Sequence, residues 1–130
     1  MQITHANVLN LVWAEKPIFG ITSKDRILQG YTTIFDLSVE KIWHAFAHGA
    51  RLIVGTKTIM LSGPDFPKYM RKYGVTWVCT TPSLLSTIEG PLDTLRMIST
   101  GGEPCSKELV NRWSLPGKRR FLNLYGTWYA

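Results

Sequence analysis

Cysteine is scarce. The 130 residues hold two, Cys79 and Cys105, which cannot build a disulfide framework and make a reduced, cytoplasmic setting the expectation. No stretch approaches the ~18 uninterrupted apolar residues of a membrane span. The opening MQITHANVLN also lacks the basic-then-apolar order of a secretory signal. No repeat, linker or low-complexity segment divides the chain, so residues 1–130 read as a single domain. Negative charge is short as well: nine Asp and Glu stand against 15 Lys and Arg, for a net charge of +6. That balance permits an anionic partner. Yet the basic runs GKRRF (117–121) and KYMRKYG (68–74) are neither long nor patterned like a binding motif. They read as solvated faces and loop ends, and no nucleic-acid partner is expected.

What is present is an alternation of short β-branched runs with helical patterns. RILQGY (26–31), RLIVGT (51–56), VTWVCTTP (75–82), TLRMISTGG (94–102) and RRFLNLYG (119–126) read as strands. Between them FDLSVEKIWHAFAHG carries Val39, Ile42, Trp43 and Phe46 at i, i+3, i+4, i+7, one face of a helix. Asp36 or Ser38 is expected to cap its start and Gly49 to end it. GPDFPKYMRKYG, SLLSTIEG (capped by Ser83) and SKELVNRWSL (capped by Ser106) supply further helices, and Thr4 caps an N-terminal one, HANVLNLVWAEK. By the same periodicity Trp13, Trp43, Trp77 and Trp113 fall on core faces. Helix-length crossovers imply parallel pairing. The expectation is a three-layer α/β domain, flavodoxin-like or Rossmann-like, with a mostly parallel sheet of about five strands and helices on both faces.

In such a fold ligands meet the loops beyond the strands' carboxyl ends, here TTIFDLS, TTPS, STGGEP and LYGTWYA. The adjacent glycines of STGGEPCS allow close backbone approach before a helix start, which suits a phosphate or nucleotide. The loop is neither G-x-x-x-x-G-K-[ST] nor G-x-G-x-x-G, and taken alone it reads first as a plain strand-to-helix turn. Asp36 serves either as a cap or as an anionic anchor for a cationic ligand group. His44 and His48 stand at i, i+4, but no H-E-x-x-H glutamate or third ligand accompanies them, so no metal site is expected. No Ser/His/Asp order or carboxylate pair supports a hydrolase, and no catalytic residue is assigned.

Taken in order, FDLSVEKIWHAFAHGARLIV, TTPSLL, LRMISTGGEPCSKELVNRW and LNLYG resemble the amino-acid-activating adenylation domains of nonribosomal peptide synthetases, members of the adenylate-forming superfamily. ITHANVLNL is similar to the helix that follows that family's phosphate loop. The resemblance implies activation of a carboxylate with Mg-ATP, then transfer of the acyl group to a carrier-protein thiol. It implies that Asp36 pairs with a substrate α-ammonium. Leu37, Glu40, Cys79, Ile98, Thr100 and Leu124 would line the side-chain pocket. A carboxylate at Glu40 suggests a basic or polar substrate side chain. Gly101, Gly102, Glu103 and Pro104 would lie against the adenosine, with Asn123, Tyr125 and Gly126 at the adenine.

There are also departures from the family pattern. Its YGPTE reads YGTWY here, so Thr127, Trp128 and Tyr129 stand in the places of Pro, Thr and Glu, of which the resemblance gives the Thr to the phosphates and the Glu to Mg²⁺, and neither Trp128 nor Tyr129 can ligate Mg²⁺. The phosphate loop would precede Met1, and the ribose-binding residue and mobile C-terminal lobe would follow Ala130. The expectation is therefore an excised or engineered flavodoxin-like subdomain of an adenylation domain, catalytically inactive alone. Its partners would be an amino acid, an adenine nucleotide, and in the parent the rest of the domain and a carrier protein. The alternative is a flavodoxin-like binding or regulatory module unrelated to adenylation. That module should show a carboxylate cluster or phosphate loop after the first strand, where QGYTT stands instead.

Overall fold

A computed structural model describes residues 2–30 and 32–124, excepting the side chain of Asp36. The elements run α1 (His5–Phe19), β1 (Arg26–Gln29), α2 (Asp36–Ala47), β2 (Arg51–Val54), α3 (Lys57–Met60), α4 (Asp65–Tyr73), β3 (Trp77–Thr80), α5 (Pro82–Thr87), β4 (Met97–Gly101), α6 (Lys107–Trp113) and β5 (Arg120–Leu124). The five strands form one parallel sheet in the order β2-β1-β3-β4-β5. This is the doubly wound arrangement expected from the alternation.

Strand alternation sorts the core into two layers. Ile27, Trp77 and Met97 face one side, packing with Phe19 of α1 and Ala45 of α2, with Leu122 and Leu124 beside them. Leu28, Ile53, Val78 and Ile98 face the other, against Met60, Phe66, Met70, Leu85 and Trp113 from α3 to α6. Thr4 caps α1 by accepting the Asn7 amide, and Ser106 caps α6 by accepting that of Leu109, both as expected.

Two expected caps differ. Thr81, not Ser83, caps α5 through the Leu84 amide, because Pro82 already occupies the first helical position. The cap position of α2 is Phe35, with no side-chain acceptor, and the Ser38 hydroxyl instead donates to the Phe35 carbonyl at 2.8 Å. The face of α2 is also the reverse of the expected one. Val39 and Phe46 are exposed, at 40% and 67%, and Ile42 and Trp43 are half-buried. Ser38, Lys41, His44 and Ala45 are the buried side. The small Ala45 lets α2 approach the sheet, and the Lys41 stem crosses to place its ammonium 4.5 Å from the Trp77 ring centroid. Trp13 is likewise exposed, beneath the Lys16 ammonium, whereas Trp77 and Trp113 are buried. The short α3 was not legible in the sequence.

In the two basic runs Lys68, Arg71, Lys72, Lys118 and Arg120 are exposed as expected and Arg119 is buried, and several of the chain's arginines also serve the helix ends. Parallel strands with returning helices bring helix C-termini to one edge of the sheet, and arginines there donate to the carbonyls. Arg120 donates to Ile18 and Phe19 of α1, Arg26 to Tyr73 of α4, and Arg112 to Ile88 after α5. Arg119 is buried and donates to Leu92, Leu95 and Trp113. Arg96 donates to Phe19 and Gly20 and also forms a bidentate pair with Asp25, at 2.6 Å on both arms. The Asp25 carboxylate further accepts from the Thr22 amide and the Thr76 hydroxyl, each at 2.8 Å.

Burial raises the Asp25 pKa, but the Arg96, Thr22 and Thr76 hydrogen bonds and the Arg96 charge outweigh it, leaving the group below its ordinary 3.8. A lowered carboxyl contributes stability that is complete above about pH 4 and disappears as pH falls through the folded-state value. Asp25→Asn should cost about 3 kcal/mol at pH 7, since it leaves Arg96 without its charge partner. The loss should shrink below pH 4, as read by urea denaturation at both pH values. Arg119→Met keeps the stem but strands three carbonyls, and should cost about 2–3 kcal/mol in the same assay.

Candidate functional site

At the carboxyl edge lie the β1–α2, β3–α5 and β4–α6 loops, the first leading to α2 on one face of the sheet and the other two to α5 and α6 on the opposite face. Gly101 and Gly102 carry the β4–α6 loop. A Cβ on Gly101 would lie 2.9 Å from the Leu124 carbonyl, so only glycine lets β4 and β5 approach this closely. Gly102 has φ +81°, with nothing within 4 Å of a Cβ position, so its outer face is open. Glu103 turns back from the loop. Its carboxylate accepts the Ser83 amide at 3.0 Å and the Ser83 hydroxyl, tying the loop to the first turn of α5. Pro104 stands exposed beside it and lines a groove of about 390 Å³ with Pro82, Ser83, Ser86, Leu109 and Arg112.

The sequence-expected pocket residues divide between the two faces of the sheet. Cys79 follows Trp77 by two residues and shares its face, toward α2, and Leu124 packs in the same layer. Asp36 opens α2, Leu37 is half-buried next to it, and Glu40 lies one turn further along. Ile98 is wholly buried in the opposite layer, beneath α4 to α6, and Thr100 follows it by two residues on that face. The α2 face of β4 is presented instead by Ser99, which accepts the Trp77 indole N–H at 3.0 Å, and by Gly101. The sequence did not single out Ser99. All of MISTG is buried, so its composition carries no alternation to set the phase.

On the far face Thr80, Thr100 and Asn123 stand in register across β3, β4 and β5. The Thr100 hydroxyl donates to Asn123 Oδ1 at 3.3 Å, and Asn123 itself is exposed. The Thr80 hydroxyl is buried and has no hydrogen-bond partner among the described residues, an unmet demand at the end of a strand. Tyr125 and Gly126, and the replaced Thr127, Trp128 and Tyr129, lie outside the described residues.

Between α1 and α2, which the sequence did not connect, Glu15 meets His44 Nε2 at 2.8 Å. Glu40 meets Lys41 Nζ at 2.7 Å. Ligand-capable atoms of Glu15, Glu40 and His44 lie within 4.8 Å of one another. His48 is not part of this group; its Nδ1 bonds the His44 carbonyl at 3.0 Å. Among the described residues no helix is long and apolar enough to cross a membrane.

A family profile described as AMP-binding enzyme matches residues 1–127. The chain is 33% identical to the delta-poly-L-ornithine synthetase of Acinetobacter baumannii over 124 residues, covering 95% of this chain and 9% of that protein. It is equally 33% identical to bacitracin synthase 3 of Bacillus licheniformis over 125 residues, covering 95% and 2%. The chain thus spans less than a tenth of these relatives. Among solved structures, nonribosomal peptide synthetase FmoA3 in its AMPPNP-bound form superposes with a TM-score of 0.81 at 28% identity, over 96% of this chain and 14% of that one. The Vibrio cholerae adenylation domain AlmE, solved with glycyl-adenosine-5'-phosphate, shares the fold with a TM-score of 0.81 at 20% identity, over 96% and 24%. With the profile spanning nearly every residue, and a parallel sheet that superposes on adenylation domains, the chain belongs to the AMP-binding enzyme family.

Proposed function

We propose that this chain is the flavodoxin-like part of an adenylation domain of nonribosomal-peptide-synthetase type. It would carry one wall of an amino-acid pocket and part of the adenine wall. The observation that carries the reading is the convergence of the Gly101–Gly102 loop, the Asn123 strand end and the start of α2 at one carboxyl edge, in a chain of this family. The residues fit an adenine nucleotide. Gly102 leaves its outer face open, Asn123 offers an exposed amide, and the Thr80 hydroxyl is unpartnered at the same edge. When bound, ATP supplies the adenylyl group that activates a carboxylate and the pyrophosphate that leaves.

The roles of this chain's own residues follow from their placement. Asp36, at the first position of α2, would pair with the substrate's α-ammonium. Leu37, Glu40, Cys79 and Leu124 would border the substrate side chain from α2 and the sheet face beneath it, with Ser99 and Gly101 completing that face. Ile98 and Thr100 would support the wall from behind. Glu103, held by Ser83, would fix the glycine loop against the adenosine, with Pro104 beside it. Tyr125 and Gly126 would extend the adenine contact beyond Asn123. The ornithine named for one relative agrees with a basic side chain opposite Glu40. In the parent, the rest of the domain and a carrier protein would complete the reaction. Neither Trp128 nor Tyr129 can ligate Mg²⁺ in place of the family's glutamate, so the chain alone would not catalyse adenylation. A regulatory module unrelated to adenylation is not favoured by the family match.

Titration of the ¹⁵N-labelled chain with AMP should shift the Gly101, Gly102 and Asn123 amides, and undisturbed spectra at millimolar AMP would refute the adenine wall. Amino-acid-dependent pyrophosphate exchange should be absent from the purified chain, and a measurable signal would refute inactivity. Gly101→Ala should force β5 away from β4, costing about 1–3 kcal/mol of stability in a urea melt and weakening the AMP response. A variant with wild-type stability and wild-type shifts would count against the close approach as a determinant of the site.

A further inference from the structure

The amino edge of the sheet, where the helix ends are capped, holds a second cleft. Between the turn before β4 and the segment joining α6 to β5 lies a space of about 310 Å³. Arg112, Trp113 and Arg119 line it, with Pro91, Leu92 and Leu115 as apolar walls. Capping does not use every donor there. A guanidinium carries five N–H groups and stays charged. Arg119 gives three of its five to the carbonyls of Leu92, Leu95 and Trp113, and Arg112 gives one, to Ile88. Neither forms an ion pair with a carboxylate among the described residues. Both lie against one indole, their guanidinium carbons 5.1 and 5.9 Å from the Trp113 ring centroid. Trp113 is only 4% exposed, and its indole N–H is buried with no hydrogen-bond partner among the described residues. Asp93, exposed, is the acidic residue of the lining and favours the charged form of Arg119. Two guanidiniums against one carboxylate leave the cleft one positive charge in excess, beside an unmet donor whose burial is costly.

We infer that this cleft binds a monoanionic carboxylate on an apolar body, of the aryl- or branched-alkyl-carboxylate class, held by Arg112, Arg119 and Trp113. Charge supports it. A carboxylate matches the single positive excess, whereas a phosphate group brings close to two negative charges near pH 7. The two oxygens of a carboxylate also suit the planar fork of a guanidinium. Shape supports it too. The volume lies at the small end of the range that takes small organic ligands, and a bare ion would leave the walls of Pro91 and Leu115 uncovered. The site is distinct from the one proposed above. Residues 97–101 of β4 separate the two edges by about 17 Å, so a small carboxylate here touches neither the glycine loop nor the start of α2. The inference therefore stands apart from the adenylation reading.

The experiment is a calorimetric and ¹⁵N NMR titration of the chain with 3-phenylpropionate, its neutral amide 3-phenylpropanamide, and inorganic phosphate. 3-Phenylpropionate should bind at least about tenfold more tightly than the amide. It should shift the Trp113 indole N–H and the Gly90 and Leu115 amides, while the Gly101 and Gly102 amides stay in place. Arg112→Gln should lower the affinity for the acid about tenfold, with little change for the amide. Asp93→Asn should raise it about two- to fivefold, and because Asp93 is exposed this variant keeps the test open if Arg112→Gln folds poorly. Equal binding of acid and amide overturns the inference, as does an affinity that neither variant changes. Shifts confined to Gly101, Gly102 and Asn123 overturn it by placing the acid at the carboxyl edge. Phosphate binding as tightly as 3-phenylpropionate, with the same shifts, overturns it in favour of a plain anion site. No binding at millimolar acid overturns it alone, since the response to AMP is read separately.

Discussion

Helix C-termini carry carbonyls with no partner inside the helix, and a parallel α/β fold delivers them to a single edge. Their satisfaction is the constraint around which this molecule is built. Arginine is suited to it, since one planar fork donates in several directions at once. Arg96 and Arg120 close the end of α1, Arg26 that of α4, Arg112 that of α5 and Arg119 that of α6. Asp25 anchors the set by holding Arg96 from below and, through Thr76, by linking the starts of β1 and β3. Burial lowers the Arg119 pKa, with the nearby Asp93 charge opposing, yet the group stays protonated because its ordinary value is so high. The excess of basic residues thus follows from how the helices end.

With one edge occupied by capping, the other is left to chemistry. There the helices begin, the side chains are small or hydroxylic, and the glycine loop lies open. The two layers contribute differently. The α2 side offers ionisable groups at depth, and the far side offers a hydroxyl–amide row from Thr80 to Asn123. In the proposed reading a substrate side chain and a nucleobase would meet those two environments on opposite faces of the sheet.

Much of this was legible in the sequence. The five strands, the parallel order, the Thr4 and Ser106 caps and the convergence of loops all follow from alternation and turn chemistry. What failed did so for physical reasons. The stripe Val39, Ile42, Trp43, Phe46 is a true helical period, but a period gives no direction, and α2 turns its small and long-stemmed residues to the sheet instead. In β4 every residue is buried, so which of Ile98 and Ser99 faces α2 is fixed by pairing with β3 and β5 rather than by composition. Glu15 and Glu40 are 25 residues apart in the sequence, and only the packing of α1 on α2 brings them together. Asp36 remains a backbone position at the head of α2, and Tyr125 lies outside what the structure describes.

Gly101 makes the spacing of β4 and β5 a fixed quantity. A side chain there would press on the Leu124 carbonyl, and Leu124 also packs in the layer beneath α2. The glycine loop and the end of β5 are therefore mechanically a single part. Neither can be widened to admit a larger ligand without carrying the other along. If the proposed site varies in what it accepts, that variation would come from the α2 side, where side chains can change length without moving a strand.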